Sequence, residues 1–343
     1  MYSAALPTLR TPRLTLRPLT EKDADAIVDG VGNYDVSRWL GRVPYPYGLS
    51  DAHEFLERVK SECLPIWAIE NDDGLIGLVG LDEELGYWLA RPACRKGYGF
   101  EAAHAVIDHW FSDPKSGDLV SGYYDDNHRS QRVLSALGFK EVGRSARFAK
   151  SLSQEVPGTD VVLTRADWRA RMDFHIESDR LTLRPVQEAD AAEFAASLTP
   201  SVARNLLRFT AGMETTDIRA MIPKMTWKGL PGFTLAIVHE GKFAGTIGCG
   251  GSPVGLGYFL SQELWGKGLM TEALQAFLPE LFDRLPVNCL VADHFEDNPN
   301  SGSVLRKAGF VETGISMGRS KARVEPAPVI TYALHRDNLK VPL

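Results

Sequence analysis

The hexapeptide Arg-Leu-Thr-Leu-Arg-Pro occurs at residues 13–18 and again at 180–185, an offset of 167. Downstream the offset becomes 171 and then holds. Gly86-Tyr87 returns as Gly257-Tyr258, Lys96-Gly97 as Lys267-Gly268, and Glu101-Ala102 as Glu272-Ala273. Asn127, Ser130, Gly138-Phe139 and Leu163 return as Asn298, Ser301, Gly309-Phe310 and Leu334. Solenoid repeats run about 20–50 residues, so a period this long marks a whole domain present twice. The seam predicts domains at 1–173 and 174–343. Whatever fold this chain adopts must be completed within half of it.

Each copy opens with an alternating strand, Leu14–Arg17 or Leu181–Arg184, closed by Pro18 or Pro185, and a helix follows. Paired apolar strands are expected around 66–69 and 75–81, and around 234–238 and 244–249, across the turns Asp73-Gly74 and Glu240-Gly241. A further strand is expected at 85–90 or 256–260. Ala103, Val106, Ile107, Trp110 and Phe111, and again Leu274, Phe277, Leu278, Leu281 and Phe282, follow helical spacing. A strand, a short helix from Ser130 or Ser301, and a terminal strand complete each copy. Runs of strands with helices interspersed predict an α+β fold with a mixed, mostly antiparallel sheet rather than a doubly wound one.

No run of 18 apolar residues marks a membrane span, and the start, MYSAALPTLRTPR, lacks the apolar stretch of a secretory leader. Four scattered cysteines without C-x-x-C argue against a zinc site and fit a reducing, cytoplasmic setting. No H-x-x-x-H pair suggests a metal. The net charge of −6 offers no nucleic-acid footprint.

Both long helices follow a glycine loop: Arg95-Lys96-Gly97-Tyr98-Gly99 in one copy, Gly266-Lys267-Gly268-Leu269-Met270 in the other. Glycines let main chain approach a ligand closely. The first helical N–H groups lack intrahelical partners and sit at the positive end of the dipole. Together they form an anion cradle, to which Lys96 and Lys267 add charge. The phosphate-loop pattern is absent. Gly97-x-Gly99-x-x-Ala102 fits a dinucleotide pattern, but it lies mid-domain and Met270 breaks it in the second copy. A plain glycine-rich helix start remains the alternative, and Glu101 and Glu272 suit a first helical turn.

The ordered set Gly86-Tyr87-Trp88-Leu89, R-K-G-Y-G-F-E-A, Asn127-x-x-Ser130 and Leu137-Gly138-Phe139 resembles the GNAT-type N-acetyltransferases, within them the RimJ/RimL branch. The second set, Gly257-Tyr258-Phe259-Leu260, W-G-K-G-L-M-T-E-A, Asn298-x-x-Ser301 and Ala308-Gly309-Phe310, is similar. The resemblance implies two tandem GNAT-like domains using acetyl-CoA. It implies that the loop amides of residues 95–99 and 266–270 hold the cofactor diphosphate. It further implies a splayed strand, with Trp88 and Leu89 or Phe259 and Leu260 pairing with the pantetheine arm, and Asn127 and Asn298 beside that arm. Where the family often carries Gln or Arg, three residues before the first glycine, this chain has Cys94 and Trp265.

Acetyl transfer needs a neutral amine and a proton for the leaving thiolate. An α-amine titrates near ~7.7–8.0 and a lysine amine near ~10.4, so a base matters more for the latter. The resemblance implies that Ser130 and Ser301 assist thiolate protonation; Asn and Ser are equally good helix starters. The family's tyrosine seven residues after the Asn is replaced by Leu134 and Leu305. Glu84 is the candidate base of the first copy. The second has Gly255 there, and offers Asp293 and His294 where the first has Gly122 and Tyr123. The aromatic segment Trp39–Tyr47, whose counterpart Leu206–Met213 differs, either walls an acceptor pocket or packs under a loop. The expected acceptor is a primary amine, on a protein N-terminus or a small molecule. One half, the second, is the candidate for a non-catalytic acyl-CoA-binding or structural role. The expected assembly is a monomer with pseudo-dimeric halves or a homodimer.

Overall fold

A computed structural model describes residues 6–339. Residues 1–5, which open the MYSAALPTLRTPR stretch, and 340–343 lie outside the described residues. The chain divides into two compact units, Met1–Arg169 and Ala170–Leu343.

In unit 1 the strands β1 (Leu9–Arg10), β2 (Thr15–Pro18), β3 (Ile66–Asn71), β4 (Gly74–Asp82) and β5 (Glu84–Leu89) form one antiparallel sheet in that order. Helices α1 (Ala24–Val31), α2 (Tyr34–Ser37) and α3 (Leu49–Ser61) fall between β2 and β3. Then come α4 (Tyr98–Ser112), β6 (Leu119–Tyr124), α5 (His128–Ala136), β7 (Lys140–Ala149), β8 (Gln154–Leu163) and α6 (Arg165–Met172). The last three strands form their own sheet, ordered β6-β8-β7.

Unit 2 repeats the plan. It comprises β9 (Ile176–Glu177), β10 (Leu181–Pro185), α7 (Ala191–Ser197), α8 (Pro200–Ala203), α9 (Thr215–Met225), β11 (Phe233–His239), β12 (Lys242–Gly250) and β13 (Gly255–Leu260). These are followed by α10 (Leu269–Arg284), β14 (Cys289–Phe295), α11 (Pro299–Lys307), β15 (Val311–Gly318) and β16 (Ala327–His335). Here all strands join one sheet of eight. Its one parallel junction, β13 with β14, pairs only Gly255 with Val291. In unit 1 β5 and β6 belong to separate sheets with no strand pairing at the same junction, and Ser121 Oγ donates to the Leu85 carbonyl at 2.8 Å across it.

The duplicated hexapeptide is explained by two arginines. Arg17 forks onto Asp23 at 2.9 and 2.6 Å, and Arg184 onto Asp190 at 2.8 and 2.8 Å. Each aspartate also accepts a main-chain N–H three residues upstream, Thr20 or Gln187, at 2.7 Å. That clamp fixes where the chain turns from strand into helix. Arg17 adds Glu70 of β3 at 2.7 Å.

The apolar periodicity of α4 buries Ala103, Val106, Ile107 and Phe111, and that of α10 buries Leu274, Phe277, Leu278, Leu281 and Phe282. On the other side of the first sheet, α1 and α3 cover Ala68, Leu78 and the half-buried Trp88. Gly30 makes room for that ring: a Cβ there would stand 2.4 Å from Trp88 Cζ3. Gly30→Ala is therefore expected to destabilise unit 1 by about 1 kcal/mol net, overpacking outweighing the better helix propensity. A thermal melt checks this; an unchanged or raised midpoint refutes it.

Candidate functional site

The glycine loops take the same shape twice. Gly97 (φ 80°) and Gly268 (φ 78°) cap α4 and α10 in the left-handed region, and no side chain caps either helix. Two residues earlier the chain is left-handed again, at Arg95 (φ 65°) and Gly266 (φ 75°). The first N–H groups of both helices thus keep free hydrogens at the positive dipole end. Residues 95–97 and 266–268 are exposed, whereas Gly99, Leu269 and Met270 are buried. A Cβ on Gly99 would meet Leu89 and Tyr87 at ordinary distances, 3.6 and 3.7 Å. At the equivalent position Met270 is itself buried, 7 % exposed.

Glu101 and Glu272 fasten these loops. Glu101, with its side chain 3 % exposed, accepts from Thr11 Oγ1 (2.6 Å), the Arg13 N–H (2.9 Å) and Arg13 Nε (2.7 Å). Arg13 Nη1 goes on to donate to the Lys96 carbonyl at 2.8 Å. Glu272 repeats this with Ser178 (2.8 Å) and Arg180 (2.8 and 2.7 Å), and Arg180 reaches the Lys267 carbonyl at 3.1 Å. Burial works to raise the Glu272 pKa, but the bonds from Ser178 and Arg180 outweigh it and hold the carboxyl below its ordinary value.

β5 and β13 each leave one edge open beyond the junction. Ala90 N–H donates to Ile76 and Ser261 N–H to Ala244, both at 2.8 Å. Hydrogen-bonded pairs alternate along an antiparallel ladder. The main-chain groups of Trp88 and Phe259 therefore face β4 and β12, while those of Tyr87, Leu89, Tyr258 and Leu260 face the opening. Cys94 Sγ lies 3.9 Å from the Leu89 carbonyl, and Trp265 Nε1 donates to the Leu260 carbonyl at 2.9 Å. Cys94 Sγ lies nearer the Ala90 carbonyl, at 3.6 Å, whereas Trp265 occupies the Leu260 carbonyl.

Across each opening stands a hydroxyl pair. Tyr87 Oη lies 3.0 Å from Ser130 Oγ, and Tyr258 Oη lies 2.9 Å from Ser301 Oγ. Burial raises both phenols, opposed by the serine bonds: Tyr87 far above its usual range, Tyr258 to about 12. Both are protonated at neutral pH. Asn127 Oδ1 accepts the Ser130 N–H at 3.2 Å, whereas Asn298 caps α11 through its main-chain carbonyl. Leu134 and Leu305 fill the core, 1 and 0 % exposed. The hydroxyl partner arrives from the strand instead. The repeated Gly-Tyr dipeptide was the available signal, and sequence reasoning read it only for its backbone.

Glu84 does not stand free. Both its oxygens engage Arg147 Nη1, at 3.1 and 3.0 Å, and Arg147 Nη2 reaches Asp160 at 2.5 Å. Along β5, at about 3.3 Å per residue, Glu84 lies roughly 10 Å from Tyr87. Asp293 is exposed on β14, while His294 is buried, its ring bonded to the Phe295 carbonyl at 2.8 Å and to Tyr332 Oη at 3.3 Å. The Trp39–Tyr47 segment is half-exposed; Tyr45 packs on Tyr34 at 5.0 Å and Arg38 covers Trp39 at 4.7 Å. Leu40, Val43 and Tyr47 of this segment pack onto the core of unit 1, as Leu206, Phe209 and Met213 of Leu206–Met213 pack onto the core of unit 2. Among the described residues, no group of three or more His, Cys, Asp or Glu is placed to hold a metal, and no helix is long and apolar enough to cross a membrane.

The family model described as "Acetyltransferase (GNAT) domain" matches residues 13–140 and again 180–311. The uncharacterized N-acetyltransferase YoaA of Bacillus subtilis (strain 168) is 29 % identical over 150 residues, 40 % of this chain and 85 % of its own length. The uncharacterized N-acetyltransferase p20 of Bacillus licheniformis is 25 % identical over 158 residues, covering 42 and 88 %. Among solved structures, Mycobacterium smegmatis RimJ in complex with CoA-disulfide is 19 % identical, with a TM-score of 0.43 over 48 % of this chain and 90 % of its own.

Proposed function

The chain belongs to the GNAT acetyltransferase family, and from that premise we propose that it moves the acetyl group of acetyl-CoA onto a primary amine of a protein N-terminus or a small molecule. One observation carries this reading. In both units an uncapped helix start opens beside an unpaired strand edge, with a Tyr–Ser pair across the gap. These parts fit the coenzyme: free N–H groups for a diphosphate, unpaired main-chain groups for an amide-bearing arm, and a hydroxyl for a leaving thiolate. The diphosphate falls to residues 95–99 and 266–270. The arm falls to the open main-chain groups of Tyr87 and Leu89, and to those of Tyr258 and the N–H of Leu260, whose carbonyl Trp265 already occupies, with Trp88 and Phe259 fixing those strands from behind. Asn298, whose side chain does not cap its helix, is free to face the arm. Acetyl-CoA supplies the activated thioester.

Ser130 and Ser301 then pass a proton to the thiolate as the thioester C–S bond breaks, and each regains one from the amine nitrogen that forms the amide C–N bond. Each hydroxyl faces a phenol that burial keeps protonated; in the arrangement where the tyrosine O–H donates to the serine, the serine O–H is left for sulfur. Ser130→Ala is expected to lower thiol release about 10–100-fold with the KM for acetyl-CoA within about twofold. An unaltered kcat would leave Ser130 as a helix cap alone. Titrating the full chain with coenzyme A tests the whole reading. Two sites are expected; no binding overturns it.

A second reading is favoured by one contrast. The positions of Glu84, Tyr124, Arg147 and Asp160 in unit 1 are Gly255, Phe295, Gly318 and Thr331 in unit 2, matched by strand register. Unit 2 keeps the coenzyme parts but not this charged cluster, which suits a half that binds acyl-CoA without acetylating the same amine.

A further inference from the structure

Two buried polar atoms of unit 1 are orphaned in the same place. Tyr124 is 5 % exposed, and its hydroxyl has no hydrogen-bond partner among the described residues; neither has Arg147 Nε. Leaving such a group unpaired costs about 1–3 kcal/mol. Register puts both on one face of β6-β8-β7: Tyr124 pairs with Gly158, Gly122 with Asp160, and Arg147 with Val156. Two glycines let the guanidinium lie flat across that face. A Cβ on Gly122 would stand 2.0 Å from Arg147 Nη2, and one on Gly158 would stand 2.9 Å from Arg147 Cδ. Glu84 enters from β5 across the open junction. Gly41 closes over the phenol, a Cβ there falling 3.5 Å from Tyr124 Oη. Its loop is tied down by Lys150 N–H on the Gly41 carbonyl (3.0 Å) and by Arg42 on Asp82 and Glu83 (2.5 and 2.7 Å).

The charges do not balance. Arg147 neutralises one of the two carboxylates it holds, Glu84 and Asp160, so the cluster keeps one negative charge in excess. It therefore attracts an ammonium ion and repels a free carboxylate. Its two orphans are both donors: burial keeps the Tyr124 phenol protonated, and Arg147 Nε carries a hydrogen that cannot be lost. They call for an uncharged oxygen acceptor close to the ammonium.

We propose that Tyr124, Arg147, Glu84 and Asp160 form an acceptor-selecting subsite in unit 1 that takes a primary amine bearing a neighbouring uncharged carbonyl oxygen. The carboxylates hold the ammonium, while Tyr124 Oη and Arg147 Nε donate to the oxygen. None of these four side chains recurs in unit 2, so the subsite belongs to unit 1. It rests on the amine-acetylating reading above, and extends that reading from amines in general to α-amino amides.

The test measures binding, not turnover. Alaninamide, propylamine and alanine are titrated calorimetrically into the full chain saturated with coenzyme A. Alaninamide is expected to bind at least tenfold tighter than propylamine, with alanine weaker than either. Tyr124→Phe is expected to bring alaninamide within threefold of propylamine while leaving coenzyme affinity unchanged, which also reports that the variant is folded. Equal affinity for the three probes, no measurable binding of any, or a tenfold preference that survives in Tyr124→Phe would each overturn the subsite. The wild-type ranking decides alone if the variant does not fold. Amide binding without acetyl transfer from acetyl-CoA would instead sink the transferase reading and leave the subsite standing.

Discussion

Gly97→Glu is expected to cut coenzyme A binding from two sites to one in calorimetry of the full chain. Three effects act together. The position is left-handed, φ 80°, a conformation that costs an L-residue about 1–2 kcal/mol. A Cβ would stand 3.3 Å from Arg13 Nη2, so the guanidinium that anchors the loop must give way. The new carboxylate then sits at the helix start, where it occupies the free N–H groups and repels a diphosphate. The combined loss is expected to exceed 100-fold in affinity for unit 1, with the second site unaffected. Gly268→Glu (φ 78°) should remove the other site alone. Two undiminished sites in Gly97→Glu would take the loop out of the binding machinery.

The second large effect belongs to Glu101. This carboxylate is almost wholly buried and accepts from Thr11, the Arg13 main chain and the Arg13 guanidinium. Glu101→Ala leaves those donors without their acceptor and frees Arg13 from the Lys96 loop. Breaking a buried pair from one side costs about 3–5 kcal/mol; Arg13 is 39 % exposed, which argues for the lower end. At about 3 kcal/mol the melting midpoint should fall by roughly 6–12 °C, and amide exchange should quicken at the start of α4. A loss under about 1 kcal/mol would make the clamp a mere surface pair.

Its twin gives the same clamp a pH signature. The Glu272 carboxyl is held below its ordinary 4.5 in the folded chain. A depressed carboxylate lends stability that is fully present above the unfolded value and is lost as pH falls through the folded one. Glu272→Gln should therefore be less stable than the parent at pH 7, with the gap closing below about pH 4.5. A gap that stays constant down to pH 3 would assign the effect to packing rather than charge.

Much of this was legible beforehand because duplication reports each constraint twice. The loop at 95–99, the helices at 98–112 and 269–284, and the N-x-x-S turns recur at fixed spacing. They follow from local rules: helical periodicity, caps, and glycine where φ is positive. What escaped the reading did so for identifiable reasons. β7 and β15 are edge strands with few buried residues, and the half-buried face of β7 carries Ser145 and Arg147 rather than apolar side chains, so neither shows the apolar alternation that marks a half-buried strand. Helix α3 was recoverable from Ala52, Phe55, Leu56 and Val59 at helical spacing, but it sits in the segment that differs most between the copies. The bonds of Glu101 to Arg13 and of Tyr87 to Ser130 join residues 88 and 43 apart, and no local pattern announces such pairs.

The sequence by itself determined the duplication, the α+β class, the paired glycine loops and the serines that follow them, since each is written in short-range spacing. Only the tertiary structure decided which main-chain edges stay open, which phenol each serine faces, and that Glu84 answers to Arg147 instead of standing as a free base. Those outcomes depend on strand register and on the parting of β5 from β6. They arise when segments far apart in the chain pack together, where long-range contacts, not local propensity, set the geometry.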